Sequence, residues 1–364
     1  MGLIKLNNEQ KLIQNEIRKF ALQEIEPFAQ DMDKNGIVPQ TVFKKLAELG
    51  LLCPIIPQKL GGAELDTTSL CIIIEGLSKG FASIGFTVAV NTISAYILKK
   101  SRNSKCDEYL SKLANGSLAG FDIGKTKKNK IEILQDNPLK ITGTKGFILN
   151  GEIAEFFLLS LESEKERGIY LVDMKSNGLK TSKIYSLGLR SAGIVEISFN
   201  DLEIFPAYCL ISGAEYDAVL AEVKNYFNLC LSAINLGIAQ ASLESSIKYA
   251  KERRQFNKPI CEFPMVQEML AEMKIKIEAT KNLVYDAANR VDEAEDYNLA
   301  SDIAAVVSAE TAIYCGIKAV QVFGGYGYTK DYPVERYLRD AKSVQLFGEL
   351  HTVLREKIAQ ELLG

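Results

Sequence analysis

A chain of 364 residues with one histidine, His351, has few ways to do acid–base or metal chemistry. A metal site built on two histidines is excluded, and a nucleophile–base triad would have to recruit His351 itself. The seven cysteines, Cys53, Cys71, Cys106, Cys209, Cys230, Cys261 and Cys315, are scattered, odd in number and never spaced as CxxC. Thiolate metal sites need closer spacing, and a disulfide framework is unusual in a chain this long. Most of the cysteines therefore read as small buried hydrophobes in a reducing compartment, and no metal site is expected. Any proton chemistry falls to carboxylates, tyrosine or a cofactor.

Composition narrows the partners. Apolar residues make up 47% of the chain and charged residues 24%, with 43 Lys and Arg against 46 Asp and Glu, a net charge of −3. Disorder needs low hydrophobicity and high net charge, so it is excluded. Nucleic acid is not an expected partner, because a polyanion binder carries a basic excess. No apolar run approaches the roughly 18–20 residues of a membrane helix, and Met1–Lys5 opens no signal peptide. These features predict a soluble, cytoplasmic protein without membrane insertion.

The elements that must position any site follow from periodicity. Residues 6–35 read as helix, with Leu12, Ile13, Ile17, Phe20, Ala21 and Ile25 at helical spacing and Pro27 interrupting it. Val42–Leu49 is a second helical run ending at Gly50, and Thr68–Lys79 and Ala82–Lys100 are long, apolar helices suited to the inside of a bundle. From Leu118 to Pro206 the texture is β-like: Lys130–Leu134, Leu139–Gly143, Lys145–Leu149, Phe156–Leu161, Ile169–Asp173 and Gly193–Phe199, separated by turns such as Asn150–Gly151 and Asn177–Gly178. That pattern predicts an antiparallel sandwich or barrel. Helices then return at about Ala214–Arg254, Phe263–Val291, Asp296–Phe323 and Gly348–Leu363. The expected fold is α+β: an N-terminal helical domain (1–116), a middle antiparallel β domain (117–207) and a C-terminal four-helix bundle (208–364).

Two segments make the reading specific. Tyr249–Val266 reads YAKERRQFNKPICEFPMV, and Gln321–Lys342 reads QVFGGYGYTKDYPVERYLRDAK. Together with RKFALQEIEP (18–27), GLLCPIIPQKLGG (50–62), EGLSKGFASIG (75–85) and LGLRSAGIVEISFNDLEIFP (187–206), they resemble the acyl-CoA dehydrogenase family across essentially the whole chain. The resemblance implies a tetramer with one FAD per subunit, bound at a subunit interface. Its flavin ring rests on the β domain of one subunit, and its pyrophosphate and adenosine end is held by a neighbour. The residues implied for that second role are Arg253, Phe256, Gln321, Gly324 and Gly325. Their chemistry suits it: a guanidinium offers paired donors to phosphate, and glycines let backbone approach a cofactor closely. Phe147 and Ile148 are the implied ring-side residues.

Where the chain departs from the family is equally informative. The family's reaction takes an α proton from an acyl thioester with a glutamate while a hydride passes to the flavin. Aligning Arg339–Lys342 without a gap puts Gly348 at the usual base position. Some relatives carry the base on a helix 26 residues before the first motif's arginine, which here is Phe227, followed by Asn228. Both positions lack a carboxylate. Glu349 is the nearest candidate, but one residue along a helix turns a side chain by about 100°, so it would need a local register shift; His351 and Tyr226 are weaker candidates. The family's Thr-Glu-Pro…Gly-Ser-Asp loop has no recognisable counterpart in residues 120–130, whose KTKKNK run reads as a solvated loop. The family's Lys-x-Trp-Ile-Thr-Asn is here Lys145-Gly146-Phe147-Ile148-Leu149-Asn150. Phe147 could still stack on a flavin, whereas Leu149 cannot hydrogen-bond one.

The losses fall on groups a subunit uses for its own flavin and substrate, while groups offered to a neighbour's FAD are kept. That asymmetry predicts a subunit of a heteromeric FAD-dependent dehydrogenase whose paralogous partner supplies base and ring pocket. The alternatives are a homotetrameric flavoenzyme acting on acyl-CoA or carrier-protein-bound acyl groups through Glu349 or another base, and a flavin-free scaffold binding acyl-CoA or a partner.

Overall fold

The computed structural model describes residues 5–122, 129–162 and 167–364. Its first layer is helical. α1 (Asn8–Phe20) starts at a reciprocal cap in which the Asn7 side chain accepts from Gln10 N and the Gln10 side chain accepts from Asn7 N. A π-turn and a 3₁₀ turn around Pro27 carry the chain into α2 (Ala29–Asn35), so the interruption expected at that proline is present. α3 (Gln40–Glu48), α4 (Thr67–Gly80), α5 (Ala82–Lys100) and α6 (Cys106–Ala114) follow. α5 has the expected bounds, and 16 of its 19 residues are buried. Three of its polar side chains are paired: Thr87 and Ser94 donate to the carbonyls four residues earlier, and Asn91 Oδ1 accepts from Ala119 N at 2.9 Å, joining α5 to the first strand.

The middle of the chain forms one eight-stranded sheet among the described residues: β1 (Ala119–Asp122), β2 (Lys130–Asp136), β3 (Leu139–Leu149), β4 (Phe156–Glu162), β5 (Arg167–Asp173), β6 (Leu179–Lys183), β7 (Val195–Ile204) and β8 (Cys209–Ser212). The order is β6-β7-β3-β1-β4-β5-β8 with β2 also on β3, and every pairing is antiparallel except β1 with β4. The two strands expected at 139–143 and 145–149 are one. Gly143 (φ +126°) and Phe147 (φ +60°) sit where the register against β7 shifts, so they make bulges within β3 rather than a turn.

The C-terminal layer is built on α7 (Glu215–Glu252), whose 38 residues span about 57 Å. Around it pack α8 (Pro264–Asp292), α9 (Asn298–Phe323), α10 (Val334–Val344) and α11 (His351–Leu363). By length and composition Ala82–Lys100 and the segment 298–328 are apolar enough to cross a membrane, contrary to the sequence expectation; the apolar window is 89% buried inside the fold in the first and 56% in the second. All seven thiols are unpaired and five are buried, as expected.

α4 and α7 pack tightly at Gly237, where an added Cβ would lie 2.3 Å from Glu75 O and 2.9 Å from Lys79 N. Gly237→Ala must push two backbones apart. It is expected to cost about 1–3 kcal/mol in chemical denaturation, with α-helical content by circular dichroism unchanged below the transition.

Candidate functional site

The first motif closes α7 with a hairpin. β9 (Arg254–Gln255) and β10 (Lys258–Pro259) pair across Phe256 (φ +50°) and Asn257 (φ +65°), two consecutive left-handed residues as in a tight primed turn. That turn throws the Phe256 ring into solvent, where it is 89% exposed and meets only the edge of Phe263, with ring centres 6.2 Å apart. The second motif ends α9 at Gly324 (φ +59°, ψ −136°), a backbone shape suited to glycine. An added Cβ at Gly324 or Gly325 would find nothing within 4 Å.

The two motifs face each other across a cavity of about 500 Å³ lined by Tyr249, Arg253, Phe323, Gly324, Gly325 and Tyr326, among others. One wall is aromatic: Tyr249 stacks on Phe323 at 4.0 Å, and Tyr332 meets both edge-on. Arg253 is exposed, lies 5.7 Å from the Tyr326 ring centre and has no ion pair among the described residues. Gln321 is exposed one turn before Gly324. Sequence reasoning named Arg253, Gly324 and Gly325 but missed Tyr249, Phe323 and Tyr326 as lining residues, although all three lie inside the quoted motifs.

The sheet-side residues lie elsewhere. Phe147 is half-buried on the β3 bulge and packs against the main core. Ile148 is fully buried in the sheet's own core and pairs with Asp122 and Val195. Leu149 is also fully buried, so its side chain packs against the core. Lys145 is buried and donates to the Asp122 carboxylate and the Ser160 carbonyl, a cross-strand anchor that sequence reasoning did not foresee. The ring-side loop read in residues 120–130 falls largely on 123–128, outside the described residues.

The usual base position, Gly348, lies against Asn228, the residue after the alternative position Phe227. Gly348 adopts φ +80°, and an added Cβ would meet Asn228 Oδ1 at 2.6 Å and Leu231 Cδ1 at 2.8 Å. Asn228 Oδ1 accepts the Glu349 backbone N–H at 3.2 Å. Beside them Phe227 meets Phe86 and Phe121 edge-on, at 6.4 and 6.2 Å, and Phe86 meets Phe347 at 5.0 Å. All four rings are buried, so hydrocarbon fills the space next to both positions.

The Glu349 carboxylate is engaged on α11: Oε2 lies 2.5 Å from Lys357 Nζ. Asp302 on α9 belongs to the same charge group. Burial pushes its carboxyl up to about 6, with Lys357 opposing and Glu349 adding to the rise. His351 is held below its ordinary value by burial and by Arg355. Tyr226 is fully buried, stacked on Tyr96 at 4.5 Å and near Thr67 Oγ1 at 3.4 Å, and burial raises it well above its usual range. No feature of the sequence singled out Asp302 or Lys357, which meet Glu349 only through the packing of α9 against α11.

Comparison with known proteins followed the same lines. Residues 7–117 match the acyl-CoA dehydrogenase N-terminal domain and residues 220–363 the acyl-CoA dehydrogenase C-terminal domain. The chain is 31% identical to a cyclohexane-1-carbonyl-CoA dehydrogenase of Geobacter metallireducens and 31% identical to an acyl-CoA dehydrogenase of Bacillus subtilis, in each case over 99% of both chains. The structure of butyryl-CoA dehydrogenase from Megasphaera elsdenii superposes over the full length of both chains with a TM-score of 0.93 at 26% identity.

Two expectations follow from the geometry. Gly348→Glu combines an unfavourable positive φ with the Asn228 and Leu231 contacts, so it is expected to destabilise the protein by about 1–3 kcal/mol in urea unfolding. Asp302 carries the opposite sign from a paired carboxylate. A folded-state value raised from 3.8 to about 6 favours the folded state below pH 4, and that advantage is lost as pH rises through 6. Asp302→Asn is therefore expected to exceed wild type in stability by about 1–2 kcal/mol at pH 7.5. The gap should close below pH 4 in parallel melts.

Proposed function

Because the chain belongs to the acyl-CoA dehydrogenase family, whose members are FAD-dependent flavoproteins, we propose that it is one subunit of a heteromeric, α₂β₂-type dehydrogenase of acyl thioesters. In this reading it completes the FAD site of a paralogous subunit and does not supply the base. The observation that carries the reading is the state of the base position. Gly348 has left-handed backbone with Asn228 and Leu231 against it, Phe227 stands at the alternative position, and the nearest carboxylate, Glu349, is ion-paired with Lys357.

The cofactor-facing residues divide in the same way. The cavity between the two motifs fits the pyrophosphate and adenosine end of FAD: a cation without a carboxylate partner among the described residues, two glycines with open space beside them, and an aromatic wall. Arg253 would meet phosphate, the backbone at Gly324 and Gly325 would approach it closely, and Phe256 and Gln321 would face the neighbouring chain. On the sheet side, the described residues offer Phe147 as a stacking ring, while the side chains of Ile148 and Leu149 are committed to the core. FAD, when bound, supplies the hydride acceptor. The unpaired thiols fit a reducing compartment such as the cytoplasm.

The visible spectrum of the purified chain, alone and co-expressed with its nearest family paralogue, tests the reading. A colourless chain that becomes part of a yellow heteromer is the expected result; flavin bound to the chain alone would favour a homotetramer, and two colourless preparations would leave a flavin-free scaffold. In the heteromer, Arg253→Ala is expected to weaken FAD retention by about 10- to 150-fold, corresponding to about 1.5–3 kcal/mol for a charge-assisted contact. Unchanged retention in an FAD-release assay would remove Arg253 from the site. Glu349→Gln is expected to leave turnover intact; loss of kcat with FAD retained would make Glu349 the base.

A further inference from the structure

A smaller cavity, of about 280 Å³, lies between the turn around Pro27 with α2 and the segment 330–336 that enters α10. Gln30 Nε2 donates to Lys330 O at 2.8 Å, which holds the two walls together. Tyr332 lines this cavity and meets Phe323 and Tyr326, which line the cavity between the two motifs, so the two spaces are distinct neighbours. Arg336 lines it from α10 and is only 6% exposed. Its guanidinium makes no hydrogen bond or ion pair with any described residue, and Nε is buried without a partner. Its Cζ stands 5.6 Å from the Phe81 ring centre and 5.4 Å from that of Tyr337, and aromatic faces replace only part of a cation's hydration. A lysine in that position could shed its proton, whereas an arginine keeps its charge. A buried, permanent charge is costly unless a counter-charge meets it.

The carboxylates nearby do not meet it. Asp33 and Glu335 line the cavity but accept from Arg339, and Asp340 accepts Leu189 N at 2.7 Å. Glu26 lines the cavity too, but it is exposed and pairs with no cation among the described residues. The other charges in the lining are Lys34, Arg190 and Lys330 against Asp331, so an anion entering beside Arg336 meets a cationic balance. About 280 Å³ falls just below the roughly 300–1,000 Å³ of pockets for drug-sized ligands, which suits a small acid and excludes a dinucleotide.

We propose that this cavity binds a small oxyanion, a carboxylate or a phosphate, on the Arg336 guanidinium, whose forked donors match two acceptor oxygens on one carbon or phosphorus. The site is separate from the cavity at Arg253, and it does not depend on the heteromeric reading.

Calorimetric titration of the full-length chain with inorganic phosphate and with acetate, at constant ionic strength, tests the site. Saturable one-to-one binding of at least one anion is expected, and the tighter of the two names the class. The same binding is expected in Arg253→Ala, which removes the other exposed, unpaired guanidinium. Arg336→Met, which deletes the charge and keeps the length, is expected to weaken it at least about 10-fold while unfolding remains cooperative. No saturable binding of either anion up to about 10 mM, or binding that Arg336→Met leaves within about 2-fold, would overturn the proposal. A crystal structure of the wild-type chain with the binding anion gives the answer without a variant. Density within about 2.7–3.0 Å of the Arg336 nitrogens is expected, and anion density found only elsewhere would overturn the site.

Discussion

Everything at the candidate site depends on how Arg339 is held. Its guanidinium joins three parts of the chain at once: Nε and Nη2 donate to Glu335 on its own helix, Nη1 and Nη2 to Asp33 on α2, and Nη1 to the Leu187 carbonyl in the segment before β7. The next residue continues the junction, since Asp340 Oδ1 accepts Leu189 N at 2.7 Å and Ser343 Oγ accepts Gly188 N at 2.9 Å. At Gly188 a Cβ would lie 2.3 Å from Arg339 O, so sheet and bundle touch backbone to backbone. A planar guanidinium with all its donors in use fixes orientation in a way a lysine could not. The result is that α10 and the turn after it, which lead to position 348, hold a set place relative to both the sheet and the N-terminal helices.

This junction changes the meaning of the most recognisable stretch of the sequence. The Glu335–Lys342 segment reads as part of a cofactor motif, yet Glu335, Arg339 and Asp340 spend their polar atoms on joining protein to protein. Arg253, Gly324 and Gly325 lie apart from that junction, exposed at the cavity between the two motifs. Spent polar groups thus mark the part of the motif that holds the scaffold together, and that part begins ten residues after Gly325.

Much of the fold was legible because burial is periodic. α5 reads correctly to the residue, since a helix packed on every side has few charges until it emerges, and here they begin at Lys99. The two strands expected at 139–143 and 145–149 run together as β3 because an antiparallel pair accommodates a glycine bulge at Gly143. The open half of the site was legible in Arg253, Gly324 and Gly325, whereas its aromatic wall of Tyr249, Phe323 and Tyr326 was not, because those rings meet only through the packing of α7 against α9. The closed half was not. That Gly348 lacks a carboxylate is plain from the sequence, but that Asn228, 120 residues earlier, occupies the same point depends on α7 passing beneath the turn.

That coincidence has an evolutionary and chemical consequence. A side chain at 348 and the one at 228 compete for one small volume, so a carboxylate at 348 requires the residue at 228 to be small or turned aside. Here each position answers the other: the left-handed glycine makes room for the asparagine amide, and the amide bonds the Glu349 N–H that follows the glycine. Four phenylalanine rings then close the adjacent space with hydrocarbon, in which an ionised carboxylate would be poorly solvated. Restoring one acidic residue would therefore meet a steric contact, an unsatisfied amide and a desolvation penalty together. The absence of a carboxylate at position 348 is thus matched by several side chains at once, whereas Arg253, Gly324 and Gly325 are exposed and Arg253 has no ion pair among the described residues.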